Sequence, residues 1–245
     1  MPKVMAAAPV PVRGPGTGLV AVVAGHELTA FVSAALESAG ARPADADLTA
    51  EVLVAADLAG AARHGVVRLL PYVQGLLGGT INGAARPEIV RRYGDVTVID
   101  AHHGLGQPAL AFAVDQAVEQ ARVHGSSVVS VQHSRHVGIT AWYSGRAARG
   151  GAFGVITTRA ARSGGGAGAL REGAVTSQFL MCLSRTAAGG ARPLVLVPPA
   201  GGGVVRPRLT LPVPVLDELV RIAALVKVVP VRALDRRRPT RSECP

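Results

Sequence analysis

The residues best suited to chemistry lie together near the middle of the chain. His133, Arg135 and His136 follow a short β-branched run, 128–131, which predicts a buried strand, and a helix is predicted from about Ile139. A loop between a strand end and a helix N-terminus is where α/β proteins bind ligands, because its amides point outward and the helix dipole favours anions. A histidine in such a loop can exchange a proton near neutral pH. The alternative is a polar loop whose histidines only bond to backbone.

Apolar periodicity, together with glycines and prolines at the ends of the periodic segments, predicts the helices and strands that position this loop. Helices are predicted at 26–39, 43–60, 66–77, 108–124 and 139–149, with one more within 209–229. Strands are predicted at 88–92, 96–99, 128–131 and 153–158, and 194–197 is a candidate for another. Helices alternating with strands predict an α/β fold, in which the helices pack on a sheet.

Composition limits the classes of protein that remain. The 245 residues suit one domain with appendages, and the hydrophobic content of 49% is enough for a core. The net charge of +10 would fit an anionic partner. However, the arginines outside the C-terminal 45 residues are scattered singly, and no basic stripe is interleaved with aromatic residues. Nucleic-acid binding is therefore the last-ranked hypothesis.

The N-terminal segment and the two cysteines bear on membrane spanning, metal binding and the cellular compartment. Prolines at positions 2, 9, 11 and 15 predict a disordered leader over 1–24, and the apolar run 19–24 is too short to span a membrane. Cys182 and Cys244 have no metal-binding spacing, so no metal site is predicted, and they suggest a reducing compartment, hence a cytoplasmic protein.

From about residue 25 to about 196 the chain resembles the type-2 malate/L-lactate dehydrogenase family. The motifs that carry the resemblance occur in order along the chain, and each has the residue types of the family. They are residues 50–60, 64–72, 78–82, 104–107, 136–143 and 153–158. The resemblance implies a family-specific α/β fold that is not a Rossmann domain, with N-terminal helices, a mixed sheet with packed helices, and an incomplete C-terminal part. It also implies NAD or NADP as cofactor, a small 2-hydroxy or 2-oxo acid as substrate, and a homodimer.

The resemblance assigns roles to individual residues. His136 is implied as the acid/base that exchanges the hydroxyl proton, and His64, from the family's S-H-G motif, as a second catalytic residue that bonds to the substrate. Arg68 and Tyr72 are implied as substrate-binding residues, with Arg68 pairing with the substrate carboxylate. The implied cofactor contacts are Gln107, Gly138 and Thr158. From the sequence alone, an exposed helix arginine is the alternative for Arg68.

The chain also departs from the family. Arg63 replaces the serine of S-H-G, and beyond about residue 196 the family pattern gives way to a Pro/Arg-rich tail, 197–245. Such a change is what a shift of reading frame would produce, and that hypothesis predicts family-like residues in another frame of the coding DNA. Two hypotheses follow: a 2-hydroxy acid oxidoreductase over 25–196, or a truncated, inactive relic of the family that serves at most as an oligomerising module.

Overall fold

A computed structural model of the chain describes residues 12–13, 19–160, 176–184 and 208–226. Six helices, eight strands and two short 3-10 turns lie within these ranges. The helices are α1 (Gly25–Ser38), α2 (Pro43–Leu58), α3 (Leu69–Leu77), α4 (Gly106–His124), α5 (Thr140–Arg149) and α6 (Val213–Val226). The strands are β1 (Val12–Arg13), β2 (Leu19–Ala24), β3 (Glu88–Tyr93), β4 (Val96–Asp100), β5 (Ser126–Ser134), β6 (Ala152–Ala160), β7 (Thr176–Ser184) and β8 (Arg208–Pro212). The 3-10 turns span Ala62–His64 and Val66–Arg68.

The first core is mainly helical. Helices α1, α2 and α3 bury their apolar stripes against one another, and α6 adds Leu219 and Ile222, each about 1% exposed. A small sheet in the order β1-β2-β8 belongs to this unit, with β2 antiparallel to β8. Burial of these aliphatic side chains is the main source of stability here, because α2 begins with no side-chain cap bond.

The second core lies under a five-stranded mixed sheet in the order β3-β4-β5-β7-β6. Only β4 and β5 are parallel, and the other neighbours run antiparallel. Alternate residues of β4 and β5, such as Ile99 and Val131, point to one face and are buried there, in the same cluster as apolar residues of α4 and α5. With one parallel pair, the sheet is not the doubly wound sheet of a dinucleotide-binding domain. The predicted family-specific, non-Rossmann α/β fold is confirmed.

Parallel pairing of β4 and β5 brings the carboxyl ends of both strands to one edge of the sheet. The loop after β4 leads into α4, and the loop after β5 leads into α5. The two loops touch, since a Cβ on Gly106 would lie 2.3 Å from the backbone oxygen of Arg135. Only glycine permits this approach, and it places the start of α4 against the loop that carries His136.

Three sequence predictions differ from the structure. Part of the expected disordered leader, Leu19–Ala24, is strand β2, because β8 provides its hydrogen-bonding partner. Part of the expected unrelated tail forms β8 and α6, which pack into the first core, so this part of the tail is not a free appendage. Strand β5 continues to Ser134, beyond the predicted end, with an irregular register near His133.

The remaining predicted boundaries agree to within a few residues, except that the helix predicted from residue 66 begins as a 3-10 turn. The candidate strand 194–197 lies outside the described residues, as does the basic end 236–241. The division of the chain at residues 24 and 196 stays a prediction.

Candidate active site

Two histidines that are 72 residues apart in sequence meet in the structure. Nδ1 of His64 lies 2.9 Å from Nε2 of His136, and the two rings are nearly coplanar, with an interplanar angle of 3°. His64 ends the 3-10 turn after α2, and His136 follows β5. The site therefore forms at the junction between the first core and the second.

Tyr72 and Gln107 lie behind His136, on the side away from His64. The hydroxyl of Tyr72 is 2.7 Å from Nδ1 of His136, and Nε2 of Gln107 donates to that hydroxyl at 2.8 Å. Gln107 is fully enclosed and Tyr72 is 5% exposed. Tyr72 contacts His136 from inside the protein and Gln107 contacts Tyr72, so neither side chain is on the surface that a ligand would reach.

Close packing holds the turn that carries His64. Oδ2 of Asp57 accepts a hydrogen bond from the Val66 amide at 2.8 Å, which links the end of α2 to the 3-10 turns. A Cβ on Gly65 would lie 2.0 Å from Oδ1 of the same carboxylate. The glycine of the His-Gly pair is thus required for the turn to approach α2.

Gly138 and Tyr143 hold the loop that carries His136. Gly138 has a φ of +81°, and its amide donates to Nδ1 of His136 at 3.3 Å. A Cβ at Gly138 would lie 2.7 Å from Cγ1 of Val52 in α2. The buried hydroxyl of Tyr143 donates to the carbonyl of Val137. These contacts hold the imidazole through the residues that follow it in sequence.

The electrostatic environment keeps both histidines neutral. Burial, together with the positive charge of Arg68 and the neighbouring His64, lowers the pKa of His136 to about 4. The pKa of His64 is also lowered, by burial first and then by the charges of Arg68 and Arg63. Burial raises the pKa of Tyr72, so its hydroxyl stays protonated. At neutral pH the cluster consists of uncharged rings beside guanidinium groups.

Two arginines make the site electropositive. Nε of Arg68 donates to the backbone oxygen of Arg63 at 2.8 Å, which orients Arg68 within the turn. Among the described residues, no carboxylate lies within ion-pair distance of Arg63 or Arg68. Cations without a counter-charge beside a histidine pair favour an anionic ligand.

Sequence reasoning missed Asp100, which ties the two ligand-facing loops together. Its carboxylate accepts from the amide of His102 and lies 2.8 Å from Nδ1 of His133. Burial raises the pKa of Asp100, but these hydrogen bonds and one from Gln132 outweigh it and lower the pKa overall. The sequence did contain a signal for Asp100. It is an aspartate at the end of one strand, and the parallel strand beside it also ends in polar residues.

The predicted site residues fall into two groups. His64, His136 and Tyr72 form one connected cluster, and the charge of Arg68 acts on all three of them. Gln107 joins this cluster from its enclosed side rather than facing a cofactor. Gly138 is buried beneath the histidine loop, and the side chain of Thr158 lies outside the described part of the chain.

Two of the three predicted cofactor contacts face the protein interior: Gln107 is enclosed, and Gly138 lies against Val52 of α2. The side chain of the third, Thr158, lies outside the described part of the chain. The cofactor assignment therefore stays a prediction. No helix among the described residues is both long enough and apolar enough to cross a bilayer.

Comparison with known proteins shows which family this chain and its fold belong to. A sequence profile described as malate/L-lactate dehydrogenase matches residues 23–174. Since this is more than half of the chain, the protein belongs to the malate/L-lactate dehydrogenase family. The malate dehydrogenase of Pyrococcus abyssi is 39% identical over 132 residues, which are 54% of this chain and 36% of that protein. The chain thus spans little more than a third of the length of such curated relatives.

Solved structures agree at the level of the fold. Sulfolactate dehydrogenase from Methanocaldococcus jannaschii superposes with a TM-score of 0.55 at 31% identity, covering 57% of this chain and 41% of that one. Malate dehydrogenase from Pyrococcus horikoshii superposes with a TM-score of 0.69, covering 86% of this chain and 97% of that one. The identity to the second structure is 18%, so it supports the fold alone.

Proposed function

We propose that this protein is an oxidoreductase that interconverts a small 2-hydroxy acid and its 2-oxo acid, with His136 as acid/base and Arg68 as the carboxylate ligand. The contact of 2.9 Å between His64 and His136, near Arg68, which has no carboxylate partner among the described residues, carries this proposal. It brings a proton-exchanging pair and an anion-binding group to one place, which the reaction needs. NAD or NADP and a homodimer remain predictions from the resemblance, and a cytoplasmic location remains a prediction from the cysteines.

The surroundings of His136 define where the substrate must bind. Nδ1 faces Tyr72 and the Gly138 amide inside the protein, whereas Nε2 faces His64. A substrate oxygen can therefore reach His136 only at Nε2, by replacing or sharing the contact with His64. In oxidation His136 would accept the hydroxyl proton there, and in reduction it would return a proton to the same oxygen.

Arg68 couples substrate binding to the acid/base pair. Its charge is one of the causes that lower the pKa of both histidines. A substrate carboxylate paired with Arg68 would neutralise that charge and raise the pKa of His136 towards neutrality. The ring would thus become a better proton carrier when the substrate is in place.

An activity assay tests this proposal. Purified protein is incubated with a panel of 2-oxo acids and each reduced nicotinamide cofactor, beside a full-length relative. We expect turnover that falls at least about 100-fold in His136→Ala, the size of a lost acid/base group, and does not change in His124→Ala at the exposed end of α4. Turnover that is unchanged in His136→Ala would reject the assignment.

The relic hypothesis stays the second candidate, because the chain spans little more than a third of the length of the curated relatives it matches. Titration with NADH and NADPH, followed by fluorescence of the half-buried Trp142, separates the two. Saturable quenching supports the oxidoreductase, whereas no response at millimolar cofactor supports the relic.

A further inference from the structure

We propose that Gln107 is a positioning residue that acts through Tyr72 to set which nitrogen of neutral His136 carries the proton, and that this nitrogen is Nε2. The proposal rests on the proposed function only for its consequence in catalysis. Its core is a statement about four hydrogen-bonded side chains and can be tested without substrate or cofactor.

The direction of the hydrogen bonds starts from Gly138. A backbone amide can only donate, and the amide of Gly138 points at Nδ1 of His136 at 3.3 Å. Nδ1 is therefore an acceptor in the resting ring. A neutral imidazole has one donor and one acceptor nitrogen, so the proton lies on Nε2, which faces Nδ1 of His64 at 2.9 Å.

Tyr72 supports the same assignment. Its oxygen is 2.7 Å from Nδ1 of His136, and since Nδ1 accepts, the hydroxyl must donate to it. The hydroxyl has a single proton and the backbone oxygen of His136 is farther away, at 3.4 Å, so the proton goes to Nδ1. The hydroxyl oxygen then accepts from Nε2 of Gln107, which donates to it at 2.8 Å. Gln107, Tyr72, His136 and His64 thus form one chain in which every bond runs in the same direction.

When Gln107 donates to Tyr72 in this way, the other polar atom of its side chain is left without a hydrogen bond. Its Oε1 is buried and has no hydrogen-bond partner among the described residues. If the amide were reversed, Oε1 would accept from Tyr72, the Tyr72 oxygen would then need a proton from Nδ1, and the amide of Gly138 would face that proton. The orientation with an unpartnered Oε1 is the one that agrees with Gly138.

A resting ring with its proton on Nε2 presents a donor to the ligand. A carbonyl oxygen only accepts hydrogen bonds, so the resting site is complementary to the 2-oxo acid. To accept a hydroxyl proton at Nε2, the ring must first change tautomer, with its proton moving from Nε2 to Nδ1. The Gln107–Tyr72 pair therefore favours binding of the 2-oxo acid to the free protein.

Nitrogen NMR of the full chain labelled with 15N-histidine tests the proposal, because the two ring nitrogens of each tautomer have distinct shifts. The His136 signals are assigned by their loss in His136→Gln. We expect the proton on Nε2 in the unchanged protein. In Gln107→Glu, a carboxylate can only accept from Tyr72, so we expect the proton to move to Nδ1 at mildly alkaline pH. In Gln107→Met we expect a mixture of the two tautomers.

Gln116→Met is the matched control, because Gln116 lies on the same helix and bonds to the exposed Arg92. It should leave the His136 signals unchanged. A wild-type ring with its proton on Nδ1 would overturn the proposal, as would Gln107 variants whose His136 tautomer equals that of the control. Amide spectra and thermal unfolding check that each variant is folded. If Gln107→Glu does not fold, the His136 tautomer in Gln107→Met tests the proposal. Because the NMR experiment uses no ligand, its result does not depend on the outcome of the activity assay.

Discussion

Both ring nitrogens of His136 bond to protein groups, so its neighbours, rather than solvent, govern its protonation. The sequence predicted that His136, His64 and Arg68 act together. This prediction came from the family resemblance, because no local spacing links residues that are 72 positions apart. It could not predict that Gln107 is enclosed. That depends on how closely the start of α4 approaches the histidine loop, a distance set by tertiary packing.

The lowered pKa of His136 predicts a pH dependence of stability. The folded pKa is about 4 and the unfolded value about 6.5, so between these values the unfolded chain binds more protons. The free energy of unfolding therefore falls on acidification through this window, by on the order of 2–3 kcal/mol from this residue. Urea unfolding from pH 7 to pH 4 should show a smaller loss in His136→Gln than in the unchanged protein. Equal losses in both proteins would contradict the prediction.

At the scale of elements, the site depends on loops that only glycine can form. Gly138 combines a positive φ with contact against Val52, whereas Gly125, at the end of α4, has a φ of +83° and open space around its Cβ position. The sequence indicated both as ends of elements. It could not show that one of them faces a neighbouring helix.

These two glycines allow a matched comparison. Gly125→Ala should lower the free energy of unfolding by about 1–2 kcal/mol, the cost of left-handed backbone. Gly138→Ala should lower it by roughly a further 1–3 kcal/mol, because its Cβ would overlap Val52. Chemical denaturation measures both, and Val52→Ala should restore part of the second loss. Equal effects of the two alanine substitutions would show that the contact with α2 carries no cost.

At the scale of the whole molecule, the site spans two separate cores. Val52 of α2 belongs to the second core, against which Leu48 of α2 also packs, and Leu105, just before α4, belongs to the first, so each unit contributes apolar side chains to the other. The sequence predicted the helices of both units and strands β3 to β6, but it did not predict β1, β2, β7 or β8. It did not predict that a segment after residue 197 completes the first unit, because the surrounding Pro/Arg-rich composition suggested a free tail.

That role of α6 can be tested by two leucines on the same helix. Leu219 is 1% exposed within the first core, whereas Leu225 is 53% exposed. Leu219→Ala should lower the free energy of unfolding by about 2–5 kcal/mol through the lost burial and the cavity. Leu225→Ala should change it by less than about 0.5 kcal/mol. Thermal or urea unfolding measures both changes. If the two alanine substitutions had similarly small effects, α6 would not contribute to the core.

The pairing of β2 with β8 has a consequence for biosynthesis. Val20 pairs with Pro212, so β2 finds its partner only after the ribosome has synthesised the chain as far as β8. Closing so large a loop is entropically costly and slow. Until α6 emerges, the nascent chain therefore carries an unfinished first core with exposed aliphatic side chains, and chaperones that shield such surfaces would act mainly in that interval.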